Sequence, residues 1–244
     1  MRFLGKKAVV TGGAKGIGQE IVKNLIAEGA QVIVLDQIMG NHSPCDYFQG
    51  DVGVRASLEE FAQYVIGQYG SIDFLINNAA VTEKGLLSDC GYEDFLYVQQ
   101  VGVVAPYYLT QQFKDYFSTG GAIVNIASTR WNMSQKDTES YTASKGGLVS
   151  LTHGMAMSLS GRVRVNAVSP GWIDTMETPL SEEERAQHPV KQVGIPQDIA
   201  KVVLFLCSAE SSFVTGQNWV VDGGMSKQMI YHGDEGWTYG NNPD

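Results

Sequence analysis

Six short runs along the chain, "KAVVTG", "QVIVLD", "IDFLINNAA", "AIVNIAS", "VRVNAVSPG" and "NWVVDGG", are rich in Val and Ile and do not alternate between apolar and polar positions. A strand that is apolar at successive positions buries both faces, as the strands of a parallel sheet covered by helices do. Between these runs, segments 16–28, 54–69, 91–118, 138–160 and 197–208 carry apolar residues at helical spacing, and "DYFQGDV" adds a further extended piece after "QVIVLD". The pattern predicts one α/β domain, doubly wound, with a parallel sheet of about seven strands and helices on both faces. In such sheets the sites lie beyond the carboxyl ends of the strands.

Interruptions of the pattern carry information of their own. Pro106 sits inside the 91–118 helical segment and is expected to kink it or to mark a late start. Residues 174–196 are polar, broken by Pro179, Pro189 and Pro196, and read as a lid over a site, its body spanning 176–193, with a short helix of its own. The domain is expected to span 1–226. Residues 227–244 form an irregular aromatic tail containing Trp237 and Tyr239, expected either to stay loose or to dock over an active site, its own or a neighbouring subunit's.

Composition narrows the classes. The chain has 244 residues, 43% hydrophobic and 18% charged, enough for one sizeable core. A formal net charge of −9 argues against a nucleic-acid or anionic-membrane partner, both of which need a concentrated basic patch. The N-terminus has lysines and a Gly-Gly where a signal peptide needs an apolar core, so a cytoplasmic protein is expected. Cys45, Cys90 and Cys207 form no CxxC pair, and His42, His153, His188 and His232 are scattered without ligand spacing. Free thiols and no metal are the expectation.

Chemistry enters with "TGGAKGIG", which follows the first strand and opens the first helix. Gly12, Gly16 and Gly18 permit a tight turn and close approach of backbone to a pyrophosphate, and the amides of a helix N-terminus favour an anion; Lys15 and Ile17 lie within the same cradle. This is the arrangement of a Rossmann-like dinucleotide site. Asp36 ends the second strand, where a carboxylate accepts bonds from both hydroxyls of an adenosine ribose and repels a 2′-phosphate. That favours NAD. Lys15 pulls towards NADP, which is therefore not excluded.

Further along, Ser128 closes "IVNIAS" and is followed by the "YTASK" of Tyr141 and Lys145. Lysine four residues after tyrosine lies on the same helical face, and a cation there favours the phenolate of a group whose ordinary pKa is near 10. Tyr141 then suits the role of general acid/base on a substrate oxygen, with Ser128 hydrogen-bonding the same oxygen.

Taken together, "TGGAKGIG", "GDV" at 50–52, "NNAA" at 77–80, "IVNIAS", "YTASK", "VNAVSPGWIDT" at 165–175 and "VVDGG" at 220–224 resemble the short-chain dehydrogenase/reductase family over about 1–226. The resemblance implies an NAD(P)-dependent oxidoreductase acting on an alcohol or carbonyl, with Ser128, Tyr141 and Lys145 catalytic and Lys145 also holding the nicotinamide ribose. It implies that Asp51 and Val52 meet the adenine, that Asn77, Asn78 and Ala79 line the cofactor, and that Pro170, Gly171, Ile173 and Thr175 meet the nicotinamide amide. It also implies a homodimer or homotetramer assembled partly through the long helices. Asn125 is expected to be a structural hydrogen-bonder. Two departures stand out: Ala80 replaces a usual glycine, and Gln99 is matched to an asparagine that commonly holds a water linking the lysine to solvent.

Arg130, Trp131 and Trp172 are the candidates for substrate contact. An arginine there suits a carboxylate, a phosphate or a polyol; the alternative pairs it with a nearby acid such as Asp137 or Glu139. A sugar, polyol or hydroxy acid is the first expectation. A 3-oxoacyl or steroid-type carbonyl is the alternative, disfavoured by the acidic "SEEE" of the lid, and a dinucleotide sensor without catalysis is the competing class.

Overall fold

The computed structural model describes residues 1–40, 44–238 and 240; His42 and Tyr239 lie outside these. Seven parallel strands form one sheet in the order β3-β2-β1-β4-β5-β6-β7. They are β1 (Lys7–Thr11), β2 (Gln31–Asp36), β3 (Asp46–Gln49), β4 (Ile72–Asn77), β5 (Phe117–Ile126), β6 (Val163–Pro170) and β7 (Asn218–Val221). The order reverses between β1 and β4, and in sheets of this kind ligands bind at that switch point, beyond the carboxyl ends of the two strands. Every pairing is parallel, so each crossover must carry the chain back across a face of the sheet.

Successive strand residues feed two separate cores. Val10, Val34, Ile76 and Val124 pack with α1 (Gly16–Ala27) and α7 (Pro196–Cys207) on one face. Val9, Leu35, Leu75 and Ile123 pack with α2 (Arg55–Tyr69), α4 (Ala105–Phe113) and α5 (Glu139–Ser158) on the other. This is why the strands show no polar alternation: neither face meets water.

The expected 91–118 helix is divided. α3 (Tyr92–Gln99) passes into one wide π turn, Gln100–Val104, before α4 begins. Pro106 supplies the reason: it has no N–H for the carbonyl four residues back, and the Ala105 amide donates instead to Gln100 O, five residues back. At the centre of the wide turn lies Gly102, buried against α5, where an added Cβ would sit 1.9 Å from Ser144 Oγ. The π turn thus approaches α5 closely at Ser144, the residue before Lys145.

Beyond β6 the chain forms the 174–196 segment, which carries the short helix α6 (Glu182–Ala186). Its two ends are stapled together: Ile173 pairs with Gly194, Asp174 N–H donates to Gly194 O (2.8 Å) and Gly194 N–H to Trp172 O (3.2 Å). The tail after β7 folds back towards the same segment, with Lys191 Nζ 3.7 Å from Glu235 Oε2.

The contact at Gly102 yields a stability test. Gly102→Ala is expected to cost about 1–3 kcal/mol in urea unfolding, since overpacking outweighs alanine's better helix propensity. In a Ser144→Ala background the same change is expected to cost about 1 kcal/mol less, and an unaltered cost there would mean that Ser144 Oγ is not what alanine strikes.

Candidate active site

The residues singled out from sequence converge at the carboxyl ends of β1, β2, β4, β5 and β6. The loop after β1 turns at Gly12 (φ 67°) and Gly16 (φ 56°), conformations that favour glycine. A Cβ on Gly12 would lie 2.8 Å from Ala79 Cα, and one on Gly18 would lie 2.1 Å from Gly12 O, so both glycines allow backbone to approach backbone. At Gly16 the surroundings differ: an added Cβ would meet nothing nearer than the Thr175 side chain at 3.5 Å. That is ordinary van der Waals contact, and beside it the first-turn amides of α1, Ile17 and Gly18 among them, have no intrahelical acceptor. The Lys15 side chain does not cap the helix. Unpaired first-turn amides at a glycine turn are a donor set that suits a pyrophosphate.

Asn78 holds the cradle rather than facing away from it. Its side-chain amide donates to Gly12 O (2.8 Å) and Thr11 O (3.1 Å), and the Asn78 and Ala79 amides both donate to Thr11 Oγ1. Asn77 is buried and donates to Asn125 Oδ1 (2.8 Å), whose own amide donates to Thr152 Oγ1 (2.9 Å). Asn125 is structural as expected, but it bridges side chains of β4 and α5 rather than backbone groups.

Asp36 accepts from Ala14 N–H (2.9 Å) and Ile38 N–H (3.1 Å), which fixes its carboxylate at the rim of the cradle with lone pairs to spare. Asp51 accepts from Tyr97 OH (2.9 Å) and Gly53 N–H (2.7 Å), and Gln37 in turn donates to Tyr97 (3.1 Å). Val52 is buried beside it. Tyr97 and Gln37 had no signal in the sequence, because their link spans sixty positions.

Ser128, Tyr141 and Lys145 meet where β5 ends and α5 begins. Lys145 is 2% exposed, and its Nζ donates to Ile126 O (2.8 Å) and lies 5.3 Å from the centre of the Tyr141 ring. Burial brings the ammonium down to a pKa of about 8. The Tyr141 phenol, expected to be lowered by the lysine, is instead raised: burial pushes it up, and the Ser128 hydroxyl and the Arg130 charge pull it back only in part. Desolvation wins because it acts on phenolate and ammonium alike.

Gln99 does not reach this group. Its amide donates to Ser140 O (2.9 Å), the carbonyl of the residue before Tyr141, so it tethers α5 instead of extending a path from Lys145.

Arg130 lies in a 3-10 turn, Thr129–Trp131, directly after Ser128. The expected alternative of pairing with Asp137 or Glu139 does not occur. Its guanidinium donates to Thr138 Oγ1 (3.2 Å) and Gln135 Oε1. Trp131, in the turn after Ser128, and Trp172, just beyond β6, are 38% and 37% exposed. Behind Trp172 the sequence reading missed His188, 1% exposed, its ring centre 6.2 Å from the indole and both nitrogens without partners. Pro170, Gly171 and Ile173 form the β6 exit, with Gly171 so close to Asp222 that an added Cβ would lie 2.6 Å from Asp222 Cβ.

The family profile adh_short_C2, described as enoyl-(acyl carrier protein) reductase, matches residues 12–226. The chain belongs to the short-chain dehydrogenase/reductase family. It is 38% identical to an uncharacterized oxidoreductase of Thermotoga maritima, over 93% of this chain and 98% of the relative. It is 36% identical to a 3-oxoacyl-acyl-carrier-protein reductase of the same organism, over 92% and 99%. A solved structure of an apo SCOR enzyme from Clostridium thermocellum superposes with a TM-score of 0.92 at 42% identity, covering 97% of this chain and 99% of that one. This short-chain dehydrogenase/reductase is therefore an oxidoreductase, and its parallel sheet with flanking helices is the Rossmann-like fold expected.

Burial of Lys145 sets a pH-dependent stability cost. A lysine whose folded pKa falls from 10.5 to about 8 destabilises the fold fully below pH 8, and the cost fades as pH rises towards 10.5. Lys145→Met is accordingly expected to be more stable than the parent by about 2–3 kcal/mol in urea unfolding at pH 7, with the gap narrowing at pH 9.5. A variant less stable at both values would show that the ammonium is well compensated.

Proposed function

We propose that this oxidoreductase transfers a hydride between NAD and the carbinol or carbonyl carbon of a small polar substrate such as a sugar, polyol or hydroxy acid. The observation that carries the reading is the convergence of Ser128, Tyr141 and Lys145 at the end of β5, across the sheet switch point from the glycine cradle. The Ser128 hydroxyl and the Tyr141 phenol both hydrogen-bond the substrate oxygen and hold it in one place. In the direction of oxidation Tyr141 takes the hydroxyl proton, and in reduction it returns it. Lys145, held by Ile126 O, stands beside the phenol on the same face of α5, and the Ser128 hydroxyl and the Arg130 charge offset part of the cost of the phenolate that forms.

Gly12, Lys15, Gly16, Ile17 and Gly18 would hold the pyrophosphate, Asp36 the adenosine ribose, and Asp51, Val52, Asn78 and Ala79 the adenine side. Pro170, Gly171, Ile173 and Thr175 would border the nicotinamide. NAD is preferred because Asp36 stands fixed at the rim, where a 2′-phosphate would face a carboxylate. Lys15 is an exposed loop cation and offsets this only in part.

Similarity to 3-oxoacyl-acyl-carrier-protein reductases supports a second reading, a thioester ketone as substrate. The run Glu182, Glu183 and Glu184 in the first turn of α6 disfavours an acidic carrier beside the cleft. Phe95, Val104, Tyr107 and Met157 leave apolar surface on α3, the π turn, α4 and α5 of the single chain, which supports assembly as a homodimer or homotetramer. No helix among the described residues is long and apolar enough to cross a membrane. Three free cysteines fit a reducing, cytoplasmic setting.

NADH formation over a panel of sugars, polyols, hydroxy acids and hydroxyacyl thioesters, with NADP in parallel, tests the assignment. Tyr141→Phe is expected to lower kcat on the accepted substrate by about 10²–10⁴-fold with NAD binding retained. Retained turnover would remove the phenol from the mechanism. Asp36→Ala is expected to move the NAD/NADP ratio of kcat/KM towards NADP, and an unmoved ratio would relieve Asp36 of its role.

A further inference from the structure

We propose that Arg130 selects the substrate, and that the substrate is a short hydroxy acid, or the matching oxo acid, whose free carboxylate Arg130 binds. The inference rests on the dehydrogenase reading above and names the substrate class of that same site.

Arg130 has five N–H donors, and the two partners of its guanidinium, Thr138 Oγ1 and Gln135 Oε1, are both neutral. These bonds fix the side chain without cancelling its charge. Among the described residues no carboxylate lies within ion-pair distance of it. Asp137 and Glu139 are near in sequence, but both are committed elsewhere. Asp137 Oδ1 accepts from Gly85 N–H and Leu87 N–H, each at 2.9 Å, and Glu139 Oε2 accepts from Leu86 N–H at 3.1 Å. Asp137 takes a left-handed backbone conformation (φ 64°), uncommon for a residue with a side chain, in the turn that presents its carboxylate to residues 85–87. The loop after β4 thus takes up the two acids that would otherwise quench Arg130.

Geometry supplies the second step. The Arg130 backbone amide donates to Ser128 Oγ (3.2 Å), so the arginine side chain starts from the same 3-10 turn that carries the serine hydroxyl, and its bonds to Thr138 and Gln135 then hold its far end. Its charge is also close enough to the Tyr141 phenol to favour the phenolate. A molecule whose reacting oxygen lies on Ser128 and Tyr141 therefore has an unmatched cation within reach of its next polar group. A planar guanidinium with three donors still free suits a carboxylate held by two parallel bonds. Trp131, the next residue after Arg130, is 38% exposed, and its indole suits packing against a short carbon chain.

The test compares wild type, Arg130→Lys and Arg130→Gln on short 2- and 3-hydroxy acids and on their methyl esters, with NAD as acceptor. Wild type is expected to favour acid over ester by about 10–100-fold in kcat/KM, because removing one charge-assisted partner costs that much. In Arg130→Gln the preference is expected to fall to near unity, with Arg130→Lys between. The limb of the pH–rate profile that reports Tyr141 should move to higher pH in Arg130→Gln and stay in place in Arg130→Lys, a response that a merely structural arginine would not give. Calorimetric titration with butanoate provides a readout without turnover: binding to wild type and loss in Arg130→Gln are expected. Equal use of acid and ester by wild type, or equal losses on both in Arg130→Gln, would overturn the proposal. Turnover of neutral polyols with intact Tyr141 dependence and no acid preference would remove the Arg130 role alone. Arg130-dependent butanoate binding without turnover of any acid, ester or polyol would uphold the carboxylate site and remove the dehydrogenase reading.

Discussion

The site is organised around one costly feature, a lysine ammonium buried to 2% exposure with a single backbone carbonyl as its hydrogen-bond partner. Burying a charge in this way is tolerated only where the surrounding structure is over-determined, and here it is. Asn77, Asn125 and Thr152 form a buried ladder across β4, β5 and α5, and Thr152 Oγ1 closes it on Leu148 O (2.8 Å). The ladder fixes α5 against the sheet, and Ile126 O, one residue after Asn125, then meets Lys145. The same burial that depresses the lysine raises the tyrosine, so the two groups do not form a ready ion pair. What offsets the cost on the phenol side is Ser128 and the Arg130 charge.

That division of labour changes what Tyr-x-x-x-Lys means in this chain. The spacing places phenol and ammonium on one helical face, but the distance to the ring centre is 5.3 Å and burial opposes both charges. The pair is a scaffold whose electrostatic balance is completed by residues outside it. A site of this kind gains from a fixed cation nearby, since a charge already oriented in the folded state needs no reorganisation when the phenolate forms.

Sequence reading recovered what is local or periodic. Strands buried on both faces announce themselves through unbroken Val and Ile, the glycine cradle through a strand-to-helix junction, and Ser128, Tyr141 and Lys145 through spacing on adjacent elements. Long-range partners stayed hidden because nothing in the spacing encodes them. Gln99 could be matched by position but not aimed, and its amide turned out to reach Ser140 O. The division of the 91–118 helix was half visible in Pro106, yet the wide turn around Gly102 follows from contact with Ser144, more than forty positions away. His188 carries no motif, and its burial against Trp172 arises from the fold of the 174–196 segment.

The fate of the acidic residues ties these points together. A chain of net charge −9 would be expected to present a negative mouth to an anionic substrate, yet the carboxylates at this end of the sheet are turned to backbone amides. Asp36 accepts from Ala14 and Ile38, Asp51 from Gly53, Asp174 from Met176 and Thr178, Asp222 from Gly224 and Ser226, and Asp137 from Gly85 and Leu87. Each staples a loop that borders the cleft. For Asp137 a bond from Ser88, with those from Leu87 and Gly85, holds the carboxyl below its ordinary range, and for Asp174 the Met176 amide does the same. A carboxylate surrounded by N–H dipoles projects less of its charge into the cleft than a free one. The loops are thus built from the chain's acidic surplus, and beside the Tyr141 phenol stand Lys145 and Arg130, neither of which has an acid partner among the described residues.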